Sequence, residues 1–272
     1  MGIIRDGNMK VKKISPLSIR DIFDTSQNRP FLIQGVDSET GDIGYYVLKP
    51  TVGLRMYSGA ALKELLSSFI AIELEIPIPE PVVIIITREF AELYRDESYY
   101  QILSDSIGSN FGTLYLDSGY STWMEAHYHN KLLFQAIQKT FVFDTFIDNA
   151  DRNNFRPNML VGHDEIYLID HELAFSFTNA ILYNNPTPWM LNENDCTLAQ
   201  QHLFYYFLKG KQFISDNLIQ KMSNIDEQFL DNFEQHLPHL WRNEVFDKIK
   251  NFILLRTANL GEFRNEIERL LL

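Results

Sequence analysis

Strand-like and helix-like patterning are segregated along this chain, and that order constrains its fold more than any other feature. Arg29 to Gln34 and Gly44 to Leu48 are apolar or aromatic runs on either side of Val36-Asp37-Ser38-Glu39-Thr40-Gly41-Asp42, a stretch of turn chemistry. The spacing predicts a β-hairpin. Ala60 to Glu75 carries Leu62, Leu65, Leu66, Phe69 and Ile72 at helical period, with a polar opposite side. Pro77, Pro79 and Pro81 stop that helix, and the β-branched run Val82 to Thr87 has the continuous apolar character of a buried strand. Residues 131–149 form a further amphipathic helix, followed by two short apolar stretches, Met159 to Val161 and Ile166 to Ile169, around a turn. After Asn192 the pattern is almost wholly helical, over about 197–208, 213–222, 226–236, 241–256 and 259–271. The first 25 residues read as a lead-in, and the crease between the β-rich and helical parts is expected near 90–108.

Composition narrows the classes. With 272 residues, 45% hydrophobic and 22% charged, the chain is long enough for one large domain or two small lobes, and disorder or a coiled-coil rod is excluded. Lys and Arg number 24 against 36 Asp and Glu, a net charge of −12. An acidic chain of this kind lacks the basic stripe that grips a phosphate backbone, so no direct nucleic-acid binding is expected. One cysteine, Cys196, excludes an internal disulfide and a Cys-based zinc cluster; it is expected to be a buried structural thiol in a reducing compartment. Met1 to Lys13 shows no apolar run of signal-peptide length. The longest strongly apolar run, Val82 to Ile86, is far short of the roughly 20 residues that span a bilayer. The expectation is a soluble, cytoplasmic protein without a transmembrane segment.

The chemistry concentrates in Asp151-Arg152-Asn153-Asn154-Phe155-Arg156-Pro157-Asn158 and in Ile169-Asp170-His171. A helix ends and delivers Asp151 onto a polar loop; seven residues later Asn158 opens a short strand, and Asp170 closes its partner twelve residues after that. A hairpin sets the start of one strand beside the end of the other, so Asn158 and Asp170 can converge with Asp151 nearby. Two oxygen-bearing side chains, one charged, suit a hard cation such as Mg²⁺ that also holds phosphate oxygens. A separate carboxylate can then accept a hydroxyl proton, which is the division of labour that phosphoryl transfer uses. Upstream, Lys49 ends the run Tyr45-Tyr46-Val47-Leu48-Lys49, where a nucleotide-binding lysine would sit. Glu64, 15 residues on in the following helix, is its expected ion-pair partner, with Glu73 as a competitor near the helix end.

These residues carry a resemblance. Asn149-Ala150-Asp151-Arg152 through Pro157-Asn158-Met159-Leu160, then Leu168-Ile169-Asp170-His171 and Leu173-Ala174, look like the HipA-like kinase-domain family, with a related pattern in type II phosphatidylinositol 4-kinases. Lys49, the Glu64 helix, Ile76 to Pro81 and Gly108-Ser109-Asn110-Phe111-Gly112 fall in the same order, so the likeness covers about 26–178. It implies an α+β, two-lobed protein-kinase-like fold. The chain is then a single domain over 1–272, with a β-rich N-lobe of about 14–100 and a helical C-lobe of about 101–272. It implies ATP and Mg²⁺ as cofactors, Asp151 as catalytic base, Asn158 and Asp170 as metal ligands, and Lys49 with Glu64 as the nucleotide-phosphate clamp. Ser26 and Asn28 fall where the family places its phosphate-covering hairpin. The implied reaction moves the γ-phosphoryl group of ATP to a hydroxyl, with a protein Ser or Thr as the expected acceptor.

The sequence also departs from the family pattern. Arg156 stands where members often carry a second asparagine, and no glycine-rich G-x-G-x-x-G loop is present. His171-Glu172 replaces the Phe-Gly of typical protein kinases. The competing readings are a nucleotide-binding pseudokinase or interaction module without turnover, and an AMP transferase on the same fold. Other constellations fail. His127 and His129 lack a third metal ligand, and His171-Glu172 has Phe at 175 where a zinc-protease helix needs His. Asp144 and Asp148 read as helix-surface or loop-bracing groups, and Tyr205, Tyr206 and Phe207 as core of the helical lobe.

Overall fold

The computed structural model describes residues 10–23, 29–52, 57–117, 119–162, 164–180, 185–211 and 215–272. The predicted hairpin forms as β2 (Phe31–Asp37) and β3 (Ile43–Lys49), paired antiparallel with Phe31 opposite Leu48. The lead-in is itself a strand, β1 (Lys12–Ile22), antiparallel to β2 and parallel to β4 (Pro81–Ile86). Pro16 and two register shifts, at Pro16/Ser18 and Ile19/Asp21, break the alternation by which a strand is recognised. The chain crosses the expected crease as two short helices, α2 (Arg88–Glu92) and α3 (Tyr100–Asp105). It then returns as β5 (Gly108–Leu114), which pairs with β3 and β4 and closes a barrel in the order β1-β2-β3-β5-β4.

Alternation along the strands sorts the side chains. Ile14, Phe31, Ile33, Leu48, Val82, Ile84 and Ile86 fill the barrel interior, closed at one end by Phe90 and Leu103 of α2 and α3. The other face of β4, Val83 and Ile85, packs with the second and larger core, which explains why that run is apolar on both faces. Leu48 points inward, so the next residue, Lys49, points out of the barrel toward α1 (Ser58–Glu73). This helix is sandwiched: 13 of its residues are buried, including Lys63, Glu64, Ser67 and Ser68, so its polar side faces protein rather than solvent as the pattern suggested. It ends in a left-handed Glu75 (φ 54), where the Ile76 N–H reaches back to the Ala71 carbonyl before Pro77 prevents continuation.

The rest of the chain is helical around α4 (Phe134–Phe146), whose Ile137, Phe141, Phe143 and Phe146 are buried. A three-stranded sheet joins β6 (Ser121–Thr122), which precedes α4, to β7 (Met159–Val161) and β8 (Ile166–Leu168), which follow it, in the order β6-β7-β8. Helices α5 (Glu193–Gln201), α6 (Tyr205–Leu208), α7 (Asp216–Met222), α8 (Glu227–His236), α9 (Glu244–Thr257) and α10 (Leu260–Leu271) complete it. Two core expectations need correction: Tyr206 is exposed, and Cys196 is only partly buried, with its Sγ 3.7 Å from the Leu191 carbonyl. No described helix is long and apolar enough to cross a membrane.

Candidate active site

Lys49, Glu64 and Asp170 come from a strand, a helix and a hairpin end, and they meet. The Lys49 ammonium bonds Glu64 Oε1 and Asp170 Oδ1. Glu64, 1% exposed, also accepts the His171 backbone N–H at 3.0 Å through Oε2. Burial alone would lower the Lys49 pKa, but the carboxylates of Asp170, Glu64 and Glu172 more than offset it and raise the group above its ordinary value. Burial would raise Asp170; the Lys49 ammonium outweighs that and holds it down, so this pair is charged. Burial pushes Glu64 up, opposed by Lys49. Glu73, the competing partner, instead accepts from Asn224 on the surface at 2.9 Å.

The residues after Lys49 are tied to β5. Asn110, fully buried, accepts from the Thr51 N–H at 2.8 Å and donates to the Ser106 and Gly108 carbonyls. Gly108 sits at φ 115, a conformation only glycine adopts without strain. The sequence reading took the Gly108 to Gly112 run only as a matter of family order; a buried asparagine between glycines was the available signal.

Across the site, Asp151 and Asn158 touch. Asn158 Nδ2 donates to Asp151 Oδ2 at 3.3 Å, and Arg156 Nη1 lies 3.0 Å from Asp151 Oδ1. The β7–β8 hairpin sets Met159 opposite Leu168, and beyond that pair the Ile169 N–H donates to the Asn158 carbonyl at 3.1 Å. Asn158 (φ 48) and Asp170 (φ 59) are both left-handed, at opposite strands of the same hairpin end. Asn and Asp are the side chains that adopt this region most readily outside glycine, and here it turns both residues off their strand ends. Asn158 Oδ1 and Asp170 Oδ2 accept no hydrogen bond from any described residue, so this hairpin end carries two hard oxygen acceptors without a protein donor. Glu64, Asp170 and Glu172 also place carboxylate oxygens within 4.8 Å of one another. This donor chemistry fits Mg²⁺. Ser26 and Asn28 lie outside the described residues.

Beneath the loop is a network that sequence reasoning missed. Arg152, 1% exposed, bonds buried Asp144 through Nε and grips the Pro157 and Asn158 carbonyls through Nη1. Its Nη2 lies 3.1 Å from His171 Nε2. Arginine only donates, so His171 Nε2 accepts and Nδ1 carries the proton, 3.9 Å from Glu64. Burial, followed by the charge of Arg152, pushes His171 down to about 3, so it is neutral. Burial opposes ionisation of Asp144, yet Arg152 and His202 hold its carboxyl well below the ordinary range. His202 Nδ1 accepts the Phe204 N–H at 3.0 Å, which leaves Nε2 to donate to Asp144 at 3.0 Å. Asp144 is therefore a buried loop brace and not a helix-surface group. Asp148 braces as well, accepting from Ser176 Oγ at 2.7 Å and the Phe177 N–H at 3.1 Å.

A β-barrel lobe whose last hairpin strand offers a glutamate-held lysine, set against a helical lobe that presents Asp151, Asn158 and Asp170, defines the two-lobed kinase-like class. Within that class, the chain belongs to the HipA-like kinase family, whose model matches residues 17–259. Among solved structures it is similar to the Helicobacter pylori proinflammatory kinase CtkA, with a TM-score of 0.47 and 13% identity over 93% of this chain and 99% of that one. No curated protein matches it.

Proposed function

We propose that this protein is an ATP- and Mg²⁺-dependent phosphotransferase that moves the γ-phosphoryl group to a hydroxyl, with Ser or Thr of a protein as acceptor. The observation that carries the proposal is the Lys49 ammonium held between Glu64 and Asp170, with Asn158 at the same hairpin end bonded to Asp151 of the preceding loop. Lys49 would neutralise phosphate charge, and Glu64 would keep its flexible ammonium in place. Asn158 and Asp170 would hold Mg²⁺, which when bound supplies positive charge to the phosphate oxygens. Asp151 would orient the acceptor hydroxyl and take its proton as the oxygen attacks phosphorus and the bond to ADP breaks. Ser26 and Asn28 are proposed to cover the phosphates. The absence of any cysteine pair supports a cytoplasmic setting.

The test is Asp151→Asn, assayed for phosphoryl transfer from radiolabelled ATP and, separately, for nucleotide binding by calorimetry. Transfer should fall at least a hundredfold, within the range of general-base effects, while affinity changes less than about threefold, roughly 0.7 kcal/mol. Equal turnover by the variant removes Asp151 from this role. One observation favours a second reading, a nucleotide-binding module without turnover: the Arg156 guanidinium lies on Asp151 Oδ1, where an acceptor hydroxyl would approach. Nucleotide binding with no transfer to any acceptor, in wild type and in Arg156→Ala alike, would select it. Mass spectrometry of modified protein separates added phosphate from added AMP.

A further inference from the structure

A cavity of about 210 Å³ lies where the C-terminal end of α1 meets α4 and α7, and no residue of the Lys49–Asp170 cluster lines it. Its apolar part is firm, since Leu74, Val142 and Leu218 are all buried. Its polar part is unbalanced. Lys139 and Lys221 both line it. Lys221 pairs with Glu75, whereas Lys139 makes no ion pair with any described residue. Gln138 lines it too, is 7% exposed, and makes no hydrogen bond with any described residue. Its amide atoms are not sealed off and stay open to a molecule in the cavity. Burial lowers the Lys139 pKa, Lys221 lowers it further, and Glu75 opposes both. Two ammoniums, one carboxylate and an unused amide converge on one small space.

We infer that this cavity is a binding site for a small oxyanion of phosphate or carboxylate chemistry, held by the Lys139 and Lys221 ammoniums and the Gln138 side-chain amide. The volume suits a compact ion, being below the roughly 300–1,000 Å³ of pockets that take drug-sized ligands. Glu75 pairs with Lys221 from the solvent side, and the turn that ends α1 sets its left-handed backbone. An anion here ties α1, which carries Glu64, to α4, which carries Asp144. The inference stands apart from the proposed phosphotransfer, since none of its residues is used there.

The experiment is titration calorimetry on the full chain with inorganic phosphate, pyrophosphate and succinate, repeated in Lys49→Met so that the proposed nucleotide-phosphate site does not contribute. At least one anion should bind saturably at one site, with affinity unchanged by Lys49→Met. Lys139→Met and Gln138→Leu should each weaken it at least tenfold, and Lys139→Arg should retain it. Binding of phosphate but not succinate assigns a phosphoryl ligand, and the reverse assigns a carboxylate. Should Lys139→Met fail to fold, Lys221→Met and Gln138→Leu read the same loss. No saturable binding of any of the three anions, or binding that these substitutions leave unchanged, overturns the inference.

Discussion

Mild acid should destabilise this protein through a histidine that the fold keeps neutral. An unfolded histidine titrates near pH 6.5. His171 is buried beside the Arg152 guanidinium, and its folded value is about 3. Between those values the unfolded chain takes up a proton that the folded chain refuses, so stability falls as pH falls. The slope approaches about 1.4 kcal/mol per pH unit, and between pH 7 and 5 the loss is about 2 kcal/mol for this one residue. His202, lowered by burial despite its bond to Asp144, acts in the same direction. Asp144 and Asp170 have lowered values, so their stabilisation is present above the ordinary carboxylate range and is lost only below it, outside this window. Urea unfolding at pH 7, 6 and 5 measures the effect, and His171→Gln, which keeps an acceptor for Arg152, isolates it. The variant should lose about 2 kcal/mol less than wild type across the range. Parallel pH profiles for the two proteins would refute the reasoning.

Two further perturbations follow from the same geometry. Arg152→Met leaves the Asp144 carboxylate buried without its main cation and releases the Pro157 and Asn158 carbonyls; it should cost about 3–5 kcal/mol in chemical denaturation, and a loss under about 1 kcal/mol would contradict the role given to the ion pair. Lys49→Ala removes the cation between Glu64 and Asp170; calorimetry should show ATP affinity at least tenfold weaker, about 1.4 kcal/mol, and unchanged affinity would count against the clamp.

Much of the candidate site's layout was legible because its residues sit at element ends, where local rules operate. Lys49 follows a run of strand character, Asn158 and Asp170 flank two short apolar stretches, and turn chemistry separates them. Glu64 rather than Glu73 is settled only by packing, since both lie on α1 and only one faces the end of β3. The barrel was half legible. β2, β3 and β4 carry clear patterns, whereas Pro16 and the register shifts hide β1, and β5, with two glycines and no apolar alternation, lies beyond the crease expected near 90–108. The Asp144–Arg152–His171–His202 network was invisible for a different reason. Its members are drawn from α4, the loop after it, the end of β8 and the segment after α5, and no local period links them. Burial decides their chemistry: on an exposed helix Asp144 would be an ordinary surface carboxylate, and here it anchors the loop that carries Asp151.

The account's central claim is that the hairpin end and the barrel's lysine close on one metal-bound triphosphate. A crystal structure with a non-hydrolysable ATP analogue and Mg²⁺ tests it most directly. The expected result is an ion ligated by Asn158 Oδ1 and Asp170, with the Lys49 ammonium on a phosphate oxygen and Asp151 facing the terminal phosphoryl group. A nucleotide seated elsewhere, or an ion that touches neither Asn158 nor Asp170, would contradict it.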